Sequence, residues 1–210
     1  MNGGRQLELA GWEAFVHGVF AITITLLVLD IRVPPIETTP TASSLVNALL
    51  AEGPGYAAYA LSFMYVGVYW IATLRSLRMA RAVDQWSLVL GLVYLMSVAV
   101  IPFVSALLAE YIGADQDRNR VVVVVFIGWQ LVVSILAYAS LLYSWRAGLL
   151  KPSLDDVAVR GWLRFALAGT FIWIAAVVAA VVVGAAALLL PAVLLPVYLR
   201  AGPKLGPKAG

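Results

Sequence analysis

Long apolar runs alternate with short polar segments along the whole chain. A helix needs roughly 20 apolar residues to cross a hydrocarbon core of about 30 Å, and several runs reach that length. The first, 12–33, meets Pro34 and Pro35, which cannot continue a helix. Residues 36–43 are polar. The stretch 43–50 is too short to span, so it is expected to lie on the membrane surface, capped by serine and ended by Gly53-Pro54-Gly55. Further spans are expected at 56–74, 86–108, 121–142 and 162–182. A turn near Gly184 then leads into a last span ending near Tyr198, with Pro191 and Pro196 inside it. Pro102 should kink the third span and leave a carbonyl that needs a neighbour or water. A charged loop at 113–120 and a polar linker at 146–160 separate the later spans. The pattern predicts an all-α membrane protein of six transmembrane helices. Residues 1–200 form its single domain, and 201–210 form a disordered cytoplasmic tail.

Composition narrows this picture. The chain is 63% hydrophobic and 12% charged, against about 25% charged in soluble domains. Cysteine is absent, which removes disulfides, thiolate catalysis and soft-metal sites. The single histidine, His17, excludes a multi-histidine zinc site within one subunit. Lysine stands only at 151, 204 and 208, and neither mid-membrane carboxylate pairs nor phosphate-cradling loops occur. The filter sequence Thr-Val-Gly-Tyr-Gly is missing too. No enzyme, catalytic residue or cofactor is expected.

The charges also orient the chain. With the N-terminus inside, the inner segments hold Arg5, Arg75, Arg78, Arg81, Arg146, Lys151, Arg160, Arg164, Arg200, Lys204 and Lys208, and the outer loops hold Arg32, Arg118 and Arg120. Eleven of the 14 basic residues are thus inside, which predicts cytoplasmic termini in a cell membrane and an even helix count. The net charge of +3 reflects this bias and not a nucleic-acid partner. Arg5 is outnumbered by Glu8 and Glu13, and no small-residue cleavage site follows, so the first run is expected to stay as a helix. Trp12, Trp70, Trp86, Trp145 and Trp162 fall near span ends, as an interfacial belt would have them. Trp129 and Trp173 lie deeper, as packing residues.

At 100° per residue, Phe15, Gly18, Val19, Ile22, Thr25, Leu26, Leu29 and Val33 share one face of the first helix. Such an aliphatic face is ordinarily a packing face. Glu13 and His17, four apart, fall opposite it and are expected to pair locally.

The run Phe15-xx-Gly18-Val-Phe-Ala-Ile-x-Ile-Thr-Leu-Leu-Val-Leu-Asp-Ile-Arg-Val-Pro resembles the opening helix of the prokaryotic transmembrane protein 175 family. That family is related to the endosomal and lysosomal potassium channels. Ser62-Phe63 followed by Gly67-Val-Tyr-Trp70 resembles its second helix. The resemblance implies a homotetramer in which the first helix lines a central pore for potassium and other monovalent cations. It implies constricting layers at Ile22, Leu26 and Leu29, and a selectivity hydroxyl at Thr25. Apart from the resemblance, Asp30 at the outer end reads first as an ordinary helix-end charge in the headgroup zone, with an acidic ring that draws cations to the mouth as the alternative.

The sequence also departs from the family pattern. Where the family has an arginine, three residues, then Phe-Ser-Asp-Gly, this chain has Gly11 and Phe15-Val16-His17-Gly18. Thr73 replaces a histidine three residues after Trp70. A half-satisfied buried network is costly, so joint loss of its members is coherent. Two other functions compete. A secondary transporter is suggested by Pro102, Pro191 and Pro196 but lacks intramembrane ionisable residues for coupling. A non-conducting scaffold descended from a channel is suggested by the altered hallmark.

Overall fold

A computed structural model describes residues 2–112 and 115–193, with the side chains of residues 2–7 and 30 outside that description. The expected tail at 201–210, and the last span from 194 to Tyr198 with Pro196, lie outside the described residues. The described residues are helical, apart from connections and one isolated β-bridge.

Helix α1 (Asn2–Leu26) begins well before the apolar run and tightens into a 3-10 turn over Leu27–Asp30, ahead of Pro34. The hydroxyls of Thr23 and Thr25 bond back to carbonyls of the preceding turn, a pattern that bends helices. The surface helix is α2 (Ala42–Ala51), but its cap is Thr41, not serine. Thr41 and Ser44 satisfy each other's backbone N–H groups. Gly53-Pro54-Gly55 does not end α2; it opens α3 (Gly53–Met79), where proline in the first turn forfeits no needed donor. Arg75 and Arg78, expected in a turn, therefore sit on α3.

The third span is broken as expected. Helix α4 (Gln85–Ala99) stops at Val100, and α5 (Ile101–Tyr111) restarts with Pro102 in its first turn. The indole N–H of Trp129 donates to the Ser97 carbonyl at 2.8 Å, so a neighbouring helix satisfies a carbonyl beside the kink. Helix α6 (Gln116–Arg146) starts inside the expected charged loop, with Asp115 as its cap. Helix α7 (Asp156–Val183) ends at Gly184, whose φ of 61° is a conformation that favours glycine.

Five segments are long and apolar enough to cross a bilayer: Glu8–Leu29, Gly53–Met79, Gln85–Tyr111, Gln116–Arg146 and Asp156–Val193. The last has 38 residues. Straight, it would measure about 57 Å, more than a whole bilayer. Instead the 3-10 turn Gly184–Leu188 packs on α6 as well as α7 and buries Ala187, a turn where one was expected near Gly184. The described residues give five candidate spans, and the remainder of the expected sixth lies outside them.

Helix α6 is the hub. It packs against α4, α5 and α7, while α1 lies to one side against α3, α4 and α5. The seams are pinned by buried polar pairs: Ser62 to Ser105 at 2.9 Å, Ser134 with Thr170 at 2.9 Å, and the Tyr69 hydroxyl to the Gln130 carbonyl at 3.2 Å. In hydrocarbon such pairs contribute roughly 0.6 kcal/mol each. Trp173 is buried edge-on against Tyr65, as a packing residue should be. Trp162 departs from the expected belt. It is buried, stacked on Phe165 and covered by the Arg75 guanidinium. The bundle end that carries Arg75, Arg78 and Arg81 is tied by an antiparallel bridge. Arg81 N–H donates to Leu149 O at 2.8 Å and Lys151 N–H to Met79 O at 2.9 Å. Beside it Asp84 caps α4 and accepts the Tyr143 hydroxyl; the Ser87 backbone N–H chiefly holds its carboxyl below the usual range.

Candidate functional site

The two sides of α1 are packed differently. Val16, Phe20, Thr23 and Leu27, spaced four, three and four apart, form the buried side. The predicted face is bare: Ile22 is 61% exposed, Leu26 41% and Leu29 74%, with Phe15, Gly18 and Thr25 exposed beside them. Val19 is half-buried at the edge, and Val33 lies exposed beyond the helix. Ile22 and Leu26 stand about 6 Å apart along the axis, and Leu29 continues the stripe on the 3-10 turn.

The two threonines divide the same way. Thr23 is buried and donates to Val19 O at 2.8 Å. Thr25 is exposed and donates to Ala21 O at 3.0 Å and Ile22 O at 2.9 Å. With its proton spent on the backbone, the Thr25 oxygen presents lone pairs to whatever faces α1. The bare face thus offers aliphatic tiers that exclude water and one hydroxyl acceptor at mid-depth.

The hallmark positions are only partly gathered. His17 does not pair with Glu13. Its Nδ1 accepts the indole N–H of Trp70 at 3.2 Å, and the rings meet edge to face. Trp70 sits across the α1–α3 seam, whereas an i,i+4 pair on one helix is worth only about 0.2–0.5 kcal/mol. Thr73 bonds the Tyr94 hydroxyl on α4 at 2.8 Å and does not reach α1. Val16 fills the seam, and Gly11 is exposed. The Asp30 side chain lies outside the described residues. Its neighbour Arg32 forms an ion pair with Glu110 that ties the segment following α1 to α5.

Two features escaped the sequence reading. Gln130 on α6 is fully buried, and its side-chain amide has no partner among the described residues. A lone amide in the apolar run 121–133 was the available signal. Trp12, assigned to the interface, instead lays its ring on Gly91, where a Cβ would come within 2.5 Å of it. Among the described residues no cluster of histidine and carboxylates could hold a metal ion.

Comparisons with known proteins converge. Residues 12–102 match the sequence profile of the family described as endosomal/lysosomal potassium channel TMEM175. A potassium channel of Streptomyces collinus is 39% identical over 160 residues, 74% of this chain and 74% of that protein. A potassium channel of Chamaesiphon minutus is 39% identical over 132 residues, 63% of this chain and 64% of its own. The crystal structure of a lysosomal potassium-selective channel TMEM175 homolog from Chamaesiphon minutus superposes with a TM-score of 0.80 at 28% identity. It covers 94% of this chain and 99% of that one.

Proposed function

The chain belongs to the TMEM175 family of potassium channels, and from that premise we propose that α1 lines a potassium-conducting pore at the centre of a homotetramer. A channel of this kind is not an enzyme. Four copies place four equivalent side chains at each level of the axis. Ile22, Leu26 and Leu29 then form stacked aliphatic constrictions, and Thr25 forms a ring of four hydroxyl oxygens. Conduction is passive. An aliphatic ring opposes an ion by excluding the water it carries, and a hydroxyl ring replaces part of its hydration. Both termini lie in the cytoplasm of the cell membrane, where the inner segments carry the excess of basic residues.

The observation that carries this reading is the bare face of α1. Lipid alone would also accept an apolar face. The outward sides of α4 and α7, however, present Val89, Leu92, Val93, Met96, Phe171, Ile174 and Val178, all apolar. The bare side of α1 interrupts its aliphatic stripe with the Thr25 oxygen, which lipid gives no reason to expose. No ionisable side chain stands on the stripe from Phe15 to Leu29, so it offers nothing to couple a second ion. The test is potassium flux from liposomes carrying the purified protein, with sodium and caesium as comparison ions, alongside native mass spectrometry. Flux favouring potassium from a tetramer is expected. A dimer or trimer, or saturable flux that needs a counter-ion, would overturn the reading.

A further inference from the structure

Behind α1, on its buried side, lies a cavity of about 140 Å³ walled by α3, α4, α6 and α7. We propose that this cavity binds a small uncharged amphiphile carrying a hydroxyl, and that its occupancy sets the position of α1. None of the residues lining it is charged, so an ion entering would shed its hydration without a counter-charge. Its walls are apolar, with Leu77, Leu95, Leu141 and Trp162 among them. Cavities of about 150 Å³ take up a body the size of benzene.

Hydroxyls supply the polar part of the lining. Ser140 and Ser144 donate to the carbonyls four residues back, both at 2.8 Å, and so keep lone pairs to accept a bond. Ser76 and Tyr138 also line the cavity, and their hydroxyls have no partner among the described residues. An apolar body with a single O–H matches this inventory. The residues joined by the β-bridge, Ala80 and Leu150, also line it.

Helix α1 contributes Trp12 and Val16 to the wall. Trp12 has no slack behind it, because its ring already fills the space that a Gly91 side chain would need. An occupant pressing on these two residues therefore displaces α1 itself. Binding in the cavity is independent of conduction, whereas an effect on conduction rests on α1 lining the pore.

The full chain in liposomes is photolabelled with a diazirine-bearing hexanol, and adducts are mapped by peptide mass spectrometry. Adducts at Tyr138, Leu141 or Trp162, displaced by excess benzyl alcohol, are expected. Ala137→Phe, which fills the cavity, should abolish the displaceable adducts. Ser76→Ala should weaken displacement about fivefold, the loss of one hydrogen bond, and serves if the larger variant misfolds. Adducts only on outward residues such as Phe171 and Val178, indifferent to competitor, would overturn the site and leave a water-filled cavity. Benzyl alcohol should also change potassium flux through the unaltered chain and not through Ala137→Phe. Displaceable adducts with unchanged flux would overturn the coupling to α1 and keep the site. Displaceable adducts in protein that conducts nothing would strike the channel reading instead.

Discussion

Helix α1 shows two sides of nearly the same chemistry and opposite fates. One carries Phe20, Thr23 and Leu27 into the core; the other leaves Ile22, Thr25 and Leu26 uncovered. Each side has large apolar residues, and each has one threonine bonded to the preceding turn. Hydrophobicity therefore does not separate them. The difference lies in what the rest of the chain provides. Phe20 meets Tyr94 with ring centroids 6.4 Å apart, and Trp12 reaches a glycine cut to fit it. Nothing among the described residues covers Ile22, which is 61% exposed. A side left uncovered by the described residues, carrying an oxygen that lipid does not need, suits the axis of the proposed assembly.

Truncating each side should make this contrast measurable. Phe20→Ala opens a cavity in the core and should lower stability by about 3–5 kcal/mol. Ile22→Ala, on the bare side, should cost the dissociated protomer less than about 1 kcal/mol. Thermal unfolding in detergent reads both. Equal losses would mean that the two sides are not packed differently. The glycines form a second pair. Gly91→Ala would press a Cβ into the Trp12 ring and should cost about 1–3 kcal/mol. Gly18→Ala meets nothing within 4 Å and should be neutral or slightly stabilising, since alanine is the better helix former by about 1 kcal/mol. If Gly91→Ala is as mild as Gly18→Ala, the Trp12 ring has room to move off α4.

This contrast also marks what sequence could and could not convey. Apolar run length carried the spans, and Pro102 carried the break at Val100, because both act locally. The face from Phe15 to Leu29 followed from helical period alone. Which of two apolar sides is buried did not, because that depends on Tyr94 and Gly91, some 70 residues on in the chain. The same holds for His17. Its neighbour in sequence is Glu13, but its partner is Trp70, supplied by α3. Trp162 looked interfacial by position and is buried because Arg75 and Phe165 enclose it. The constriction layers came from family resemblance, since spacing cannot tell a pore face from a lipid face.

On the proposed axis the bare side should respond in conduction where the buried side responds in stability. Leu26→Asn replaces one tier of the constriction with an amide that holds water. Wetting the tier should raise potassium flux by on the order of tenfold, equivalent to about 1.4 kcal/mol off the barrier. Discrimination against sodium should fall with it, and unfolding should hardly change, because Leu26 is 41% exposed in the protomer. Flux and selectivity that both stay put would remove α1 from the pore.

The smallest expected effect is the sharpest, because it sets one threonine against the other. Thr25→Ala removes a single oxygen from each copy and leaves the aliphatic tiers in place. The Thr25 O–H already donates to the Ala21 and Ile22 carbonyls, so the oxygen's remaining contribution is as an acceptor on the exposed side. Four such acceptors can replace part of the hydration of an ion that fits their ring. Losing them should cut the potassium-over-sodium flux ratio by roughly fivefold at most, the scale of one hydrogen bond. Thr25→Ser restores the oxygen without the methyl group and should recover the ratio. Thr23→Ala is the matched control, because its hydroxyl bonds Val19 O inside the protein. It should cost about 0.5–1.5 kcal/mol of stability and leave the flux ratio alone. If Thr23→Ala shifts selectivity as much as Thr25→Ala does, the hydroxyls act through the bend of the helix, and no oxygen of this threonine meets the ion.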